Sequence, residues 1–186
     1  MDIAKAFEIL SQGKIISANS SSSVELANML LDDSFFDELK DILDTIGYRL
    51  IGEDGYYYIS KKNKLTVVEQ QNFIQTNKDI IMAISFLREL YPRLERGSNI
   101  YFLQTIAEYV SAKKENDAIR EKLGYFSFVK NKKDEKEMLE QLFKYLESKN
   151  IIEKENVDNS DKYRVLNSLS YYISIVESVE KEGEDA

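Results

Sequence analysis

The run from Tyr48 to Ser60 constrains the fold more than any other stretch of this chain. Tyr48-Arg49-Leu50-Ile51 and Tyr56-Tyr57-Tyr58-Ile59-Ser60 are rich in aromatic and β-branched residues, and the turn Gly52-Glu53-Asp54-Gly55 between them contains an Asp-Gly pair. That pattern predicts a β-hairpin. Alternation along the return strand turns Tyr57 and Ile59 toward a core and leaves Tyr56 and Tyr58 half exposed.

The residues ahead of the hairpin read as three helices. Ile3, Phe7 and Leu10 fall at helical spacing, Gly13 breaks the pattern, and Ile15-Ile16 is a short extended piece. Ser20 to Ser23 form a polar loop that supplies an N-cap to a helix starting near Val24 and ending around Asp32. Ser34 is placed to cap the next helix, where Phe35, Leu39, Ile42, Leu43 and Ile46 repeat as an amphipathic stripe until Gly47. Three helices followed by a hairpin is the element order of a winged-helix domain, with the hairpin as the wing.

The second half repeats that order with little residue identity. A helix is expected from Val68 to Tyr91, with Ile74, Ile81, Ile84, Leu87 and Leu90 on its apolar side, closing at Pro92, the only proline. Helices follow at Ile100 to Lys113 and Asn116 to Leu123, and Met138, Leu139, Leu142, Phe143 and Leu146 mark another. Ile151-Ile152, a polar turn from Asn156 to Lys162, and Tyr163-Arg164-Val165-Leu166 make a weaker second wing. A last helix is expected from Leu169 to Val179, then an acidic tail from Glu180 to Ala186. The expected fold is mainly α with small β-hairpins (α+β), as tandem winged-helix domains at 1–66 and 67–168, followed by a C-terminal helix and tail at 169–186.

The chain has no cysteine and no histidine, which removes thiolate and imidazole nucleophiles and the usual zinc sites. No run approaches the length of a membrane-spanning helix, and the start Met1-Asp2-Ile3-Ala4-Lys5 lacks the pattern of a signal peptide, so a cytoplasmic protein without membrane partners is expected. A net charge of -8 opposes free binding to bare nucleic acid, whose affinity comes mostly from lysine and arginine.

Four features carry candidate chemistry. Asp37, Asp41 and Asp44 share one helix face behind Asp32 and Asp33, which suits either a Mg²⁺ site of a nuclease or a solvated surface. Tyr56, Tyr57 and Tyr58 suit base stacking or core packing, and an exposed pair fits a protein partner better than a phosphate. Lys113, Lys114, Arg120, Lys122, Lys130, Lys132, Lys133 and Lys136, interleaved with Tyr125, Phe126 and Phe128, have the character of a nucleic-acid surface. Neighbouring acids nearly balance that segment, so a mixed-charge loop is the competing reading. Gly52 to Gly55 is no phosphate loop, because no lysine and hydroxyl follow and a strand replaces the helix. No catalytic residue, metal ligand or cofactor is expected.

The opening Gly13-Lys14-Ile15 step, the helix end Ile46-Gly47-Tyr48 and the strand Gly55-Tyr56-Tyr57-Tyr58-Ile59 together resemble the MukE and MksE subunits of bacterial condensins. So do the long helix before Arg96-Gly97 and the closing strand Tyr163 to Leu169. Residue-level matches concentrate in positions 4 to 60. The segment Lys113 to Lys136 departs from the family. The resemblance implies a non-catalytic, nucleoid-associated tandem winged-helix homodimer that binds a kleisin subunit and, through it, an SMC ATPase. Such complexes condense chromosomes or restrict plasmids. Tyr48, Tyr56 and Tyr58 are the expected protein-partner residues, and Lys113, Lys114, Lys130, Lys132 and Lys133 the expected DNA contacts. The alternative is a winged-helix transcription regulator with Ser34 to Ile46 as recognition helix, but Asp37, Glu38, Asp41 and Asp44 against Lys40 would repel phosphates.

Overall fold

The computed structural model describes residues 2–64, 66–132, 134–155 and 160–175. The chain forms two compact units, one of residues 1–74 with 166–168 and the other of residues 75–165 with 169–186.

In the first unit α1 (Asp2–Ser11), β1 (Ile16–Ser17), α2 (Val24–Met29) and α3 (Asp33–Thr45) precede the strands β2 (Tyr48–Glu53) and β3 (Tyr56–Lys61). The i, i+4 pairs Ala6/Leu10 of α1 and Leu39/Leu43 of α3 meet Leu26, Leu50 and Tyr57 in one core. The hairpin stands where its sequence puts it, with Leu50 opposite Ile59 and Glu53 opposite Tyr56. Its turn is tighter than the four residues expected. Asp54 and Gly55 alone make it, with φ of 45° and 80°, the left-handed pair of a two-residue type I′ turn.

The sheet holds a third strand. β1 pairs antiparallel with the start of β3, setting Ile16 opposite Tyr57 and Ser17 opposite Tyr56, so the strand order is β1-β3-β2. The hairpin tip is also tied down. The Gly55 carbonyl accepts from Ala18 N–H at 2.8 Å and from Asn167 Nδ2 at 3.1 Å. Asn167 N–H donates to Asn19 Oδ1 at 2.9 Å, and Ser168 N–H to the buried Ser17 hydroxyl at 3.2 Å. A Cβ on Gly55 would stand 2.7 Å from Asn167 Nδ2, so this position requires glycine for space as well as for its φ.

The serine loop supplies the N-cap residue of α2, Ser23, but neither expected serine caps its helix through its side chain. Asp32 caps α3, accepting from Phe35 N–H at 3.1 Å, and Ser34 lies inside the first turn. Ser23 makes no side-chain cap on α2; its hydroxyl donates to Ser17 O at 2.9 Å and ties the serine loop to β1. α2 itself ends at Met29, short of Asp32.

α4 (Val67–Leu90) begins in the first unit and continues into the second. Thr66 and Glu69 form a reciprocal cap: Thr66 N–H donates to Glu69 Oε2 at 2.9 Å, and Glu69 N–H to Thr66 Oγ1 at 3.3 Å. Ile80, Ala83, Ile84, Leu87 and Leu90 are buried, whereas Ile74 is 49% exposed. Ile84, Leu87 and Leu90 thus lie on the buried side as expected and Ile81 is half-buried, whereas Ile74 is exposed and Ile80 and Ala83 join the buried side.

β4 (Asn99–Tyr101), α5 (Phe102–Glu115), α6 (Ala118–Gly124), a 3₁₀ turn (Ser127–Val129), α7 (Glu135–Ser148), β5 (Ile152–Lys154) and β6 (Lys162–Val165) complete the second unit. Ile100, expected to open a helix, lies in β4 opposite Tyr163 of β6, and the strand order is β4-β6-β5. α5 starts only at Phe102 because its first N–H groups find partners in a distant residue: Phe102 N–H donates to Asp161 O at 2.8 Å and Leu103 N–H to Asp161 Oδ2 at 3.0 Å. Phe143 fills the unit's core between Phe102 and Tyr163, both edge-on at 5.2 and 4.9 Å between centroids. Each unit thus runs helix, strand, two or more helices and two strands, with the first strand paired to the last. The fold is α+β.

Residues 169–175 are helical. The rest of the expected last helix, the acidic tail and residues 156–159 of the expected second turn lie outside the described residues. Among the described residues no helix is long and apolar enough to cross a membrane.

Candidate protein and nucleic-acid interfaces

The tyrosines of the hairpin divide by their place in the sheet. β3 is central where β1 covers it, so Tyr56 and Tyr57 are both buried; Tyr56, at 4% exposure, is not the half-exposed residue that alternation predicts. Its hydroxyl donates to Glu53 Oε2 at 2.9 Å, and burial, that bond and the carboxylate's charge push its pKa up. Tyr58 remains half-buried and stacks on Tyr56 at 6.0 Å with an 18° interplanar angle. Burial and Glu53 raise the Tyr58 pKa too. Tyr48 is half-buried at the far end of the hairpin, opposite Lys61. Of the three expected partner residues, Tyr48 and Tyr58 keep accessible surface.

α3 presents an unforeseen mixture. Leu39 and Leu43 turn inward, and the residues beside them do not follow the expected stripe: Ile42 is 42% and Ile46 51% exposed. Asp37, Glu38 and Asp41 are exposed on the same helix. The aspartates do not act as a set. Asp32 is the N-cap and Asp44 pairs with Lys62 at 3.0 Å. Among the described residues no three of His, Cys, Asp and Glu stand close enough to hold a metal ion.

The segment from Lys113 to Lys136 loses most of its cationic surface to neighbouring acids. Lys113 Nζ lies 2.6 Å from Glu135 Oε2, Arg120 Nε 3.3 Å from Glu135 Oε1, and Lys132 Nζ 3.5 Å from Glu137. Lys122 pairs with Glu89. Lys114 and Lys130 are exposed, and Lys133 lies outside the described residues. Two of the interleaved aromatics pack against the unit: Phe126 is buried and packs edge-on to Phe86 at 6.0 Å, while half-buried Phe128 stacks on both Phe126 and Tyr145 at 5.0 and 4.3 Å. Tyr125 alone of the three stands clear, at 66% exposure. This is a packed, ion-paired corner of the second unit, and it leaves two of the five expected DNA-contact lysines exposed and outside the ion pairs above.

A family model described as condensin complex protein MksE matches residues 2–177 of the chain. No curated protein matches it.

Proposed function

The chain belongs to the MksE family of condensin complex proteins, and on that premise we propose that it is the non-catalytic, kleisin-binding subunit of an SMC-type condensin. A condensin subunit works with partner subunits. The finer statements are our reading: a tandem winged-helix homodimer that grips the kleisin linker and reaches the SMC ATPase through it, at the nucleoid, helping to organise chromosomal or plasmid DNA.

The observation that carries the protein-binding reading is α3. In a winged helix used on DNA this helix would enter the major groove, yet here its outward residues are Asp37, Glu38 and Asp41 beside exposed Ile42 and Ile46. Carboxylates repel phosphates, and isoleucines gain by leaving water against another apolar surface. The hairpin tip, where a wing would meet DNA, is instead occupied by Ala18 and Asn167. Tyr48 and Tyr58 extend the proposed protein surface, and we assign DNA contact within the complex to Lys114 and Lys130, with Lys113, Lys132 and Lys133 as further candidates.

Affinity purification of the full chain from its native host tests this reading. Co-purification with a large coiled-coil ATPase and a kleisin is the expected result. Recovery as a lone monomer that binds a short duplex selectively and in a salt-sensitive way would overturn it in favour of a transcription regulator.

A further inference from the structure

Phe35, Ile42 and the C-cap residue Ile46 recur at i, i+7 and i+11 along α3 and so share one edge of the helix. That edge flanks the buried side: at about 100° per residue, Ile42 lies about 60° round from Leu39, and Glu38 about 40° further out. Leu39 and Leu43 are fully buried, Phe35 is half-buried, and Ile42 and Ile46 stand in solvent. Leu31, just ahead of the helix, is 68% exposed. We propose that this seam docks an amphipathic helix of a protein partner, its aliphatic side chains against Phe35, Ile42 and Ile46 and a lysine or arginine flank against Glu38 and Asp41.

Three properties of the seam select that occupant. The first is backbone chemistry. The N–H and C=O groups of a helix interior are bonded within the helix, so the face of α3 offers an incoming chain side-chain contacts and no backbone ladder. An extended segment laid there would leave its own polar backbone unpaired as water was displaced, whereas a helix arrives with those bonds already made. The second is length: Phe35 to Ile46 spans about 16 Å at 1.5 Å per residue, which about three turns of a partner helix cover.

The third is charge. Glu38 and Asp41 border the seam on its outer side with Asp37 beyond, all three are exposed, and none makes an ion pair among the described residues. Lys40, the only base in α3, lies about 160° round from Ile42. A cationic flank complements that border, while an acidic segment or a nucleic acid is repelled by it. A second copy of the same face fits no better, because pairing α3 with its like brings carboxylates into the joint with no base opposite them. The choice of a protein partner rests on the kleisin-binding reading proposed for the chain; the helical form of the occupant and its charge do not.

The test is an amide NMR titration of the full chain with an acetylated, amidated peptide of two Leu-Lys-Lys-Leu-Ala-Lys-Ala heptads. Two controls accompany it: the same peptide with every lysine replaced by glutamate, and a rearranged peptide of the same composition in which apolar and basic residues alternate as in a strand. The expected result is saturable shifts from Phe35 to Ile46 with the first peptide, and binding weaker by about tenfold or more for each control. Ile42→Ser with Ile46→Ser, and separately Glu38→Gln with Asp41→Asn, should each weaken the first peptide by about tenfold, with the Leu50 and Ile59 amides unmoved. Shifts centred elsewhere, no saturation, or a control that binds equally well would overturn the site. In the native host, a photo-crosslinking side chain at position 46 should join the chain to a segment with helical apolar spacing and a basic flank. A cross-link to a second copy, to an acidic segment or to nothing would overturn the helix as occupant. A cross-link to such a helix in a protein that is neither a kleisin nor a coiled-coil ATPase supports the site and counts against the kleisin-binding reading, so the two fail separately.

Discussion

Replacing Gly55 by alanine asks whether the hairpin tip is clamped from the far end of the chain. Two separate costs meet at this residue. Its φ of 80° is left-handed, and placing an L side chain there costs about 1–2 kcal/mol. The new Cβ would also fall 2.7 Å from Asn167 Nδ2, which must withdraw and give up its 3.1 Å bond to the Gly55 carbonyl. Losing that bond adds about 1 kcal/mol, for a total of roughly 2–3 kcal/mol. Gly13→Ala is the internal control, because Gly13 has φ of 71° and nothing within 4 Å of its would-be Cβ, so it should show the backbone cost alone. Asn167→Ala completes a double-mutant cycle. In that background Gly55→Ala should cost about 1 kcal/mol less than in the native chain. Urea unfolding gives the overall values, and hydrogen exchange at the Leu50 and Ile59 amides reads the first unit by itself. Equal costs for Gly55→Ala and Gly13→Ala, with no coupling to Asn167, would refute the clamp.

Asp32→Ala should destabilise α3 by about 1 kcal/mol while Ser34→Ala costs close to nothing, and a reversed order in urea unfolding would return the cap to the serine. The Glu69 carboxyl is held at about 2 against an ordinary 4.5, by the Lys61 hydrogen bond first and by Thr66 next. A carboxyl depressed in the folded state contributes fully above its unfolded pKa, and that contribution is lost as pH falls from about 4.5 toward 2. Carboxyl ¹³C titration should place the midpoint near 2 and Lys61→Met should move it upward; an unmoved midpoint would remove the ion pair as cause. Phe143→Ala should cost about 3–5 kcal/mol, since the ring is buried between Phe102 and Tyr163, and a loss under 1 kcal/mol in urea unfolding would mean the core is packed elsewhere.

Local chemistry carried most of the fold into the sequence. Asp54-Gly55 has the residues a type I′ turn needs, Pro92 ends α4 because it lacks an N–H, and Leu139, Leu142, Phe143 and Leu146 keep helical spacing against a core. Residues whose role depends on distant partners were not legible. Nothing near Ile16 says that it will pair with Tyr57. Nothing near Phe102 says that Asp161 will take its N–H group, and nothing near Gly55 points to Asn167. The serine caps failed for a related reason, since the Ser23 hydroxyl was drawn to Ser17 O and the cap of α3 fell to an aspartate two residues earlier.

These distant insertions share a consequence for function. β1 buries Tyr56, Asn167 and Ala18 hold the hairpin tip, and the core of the second unit takes Phe126, with Phe128 half-buried and stacked on it. Each removes from the surface a feature that would otherwise suit nucleic acid: an aromatic face for stacking, a loop for a groove, rings between lysines. What stays outward is of another kind. Exposed isoleucines beside aspartates on α3 attract apolar and cationic side chains. Phosphate offers neither, and protein offers both. The surface chemistry therefore supports, without reference to family, the reading proposed for a condensin subunit, in which protein is recognised before DNA.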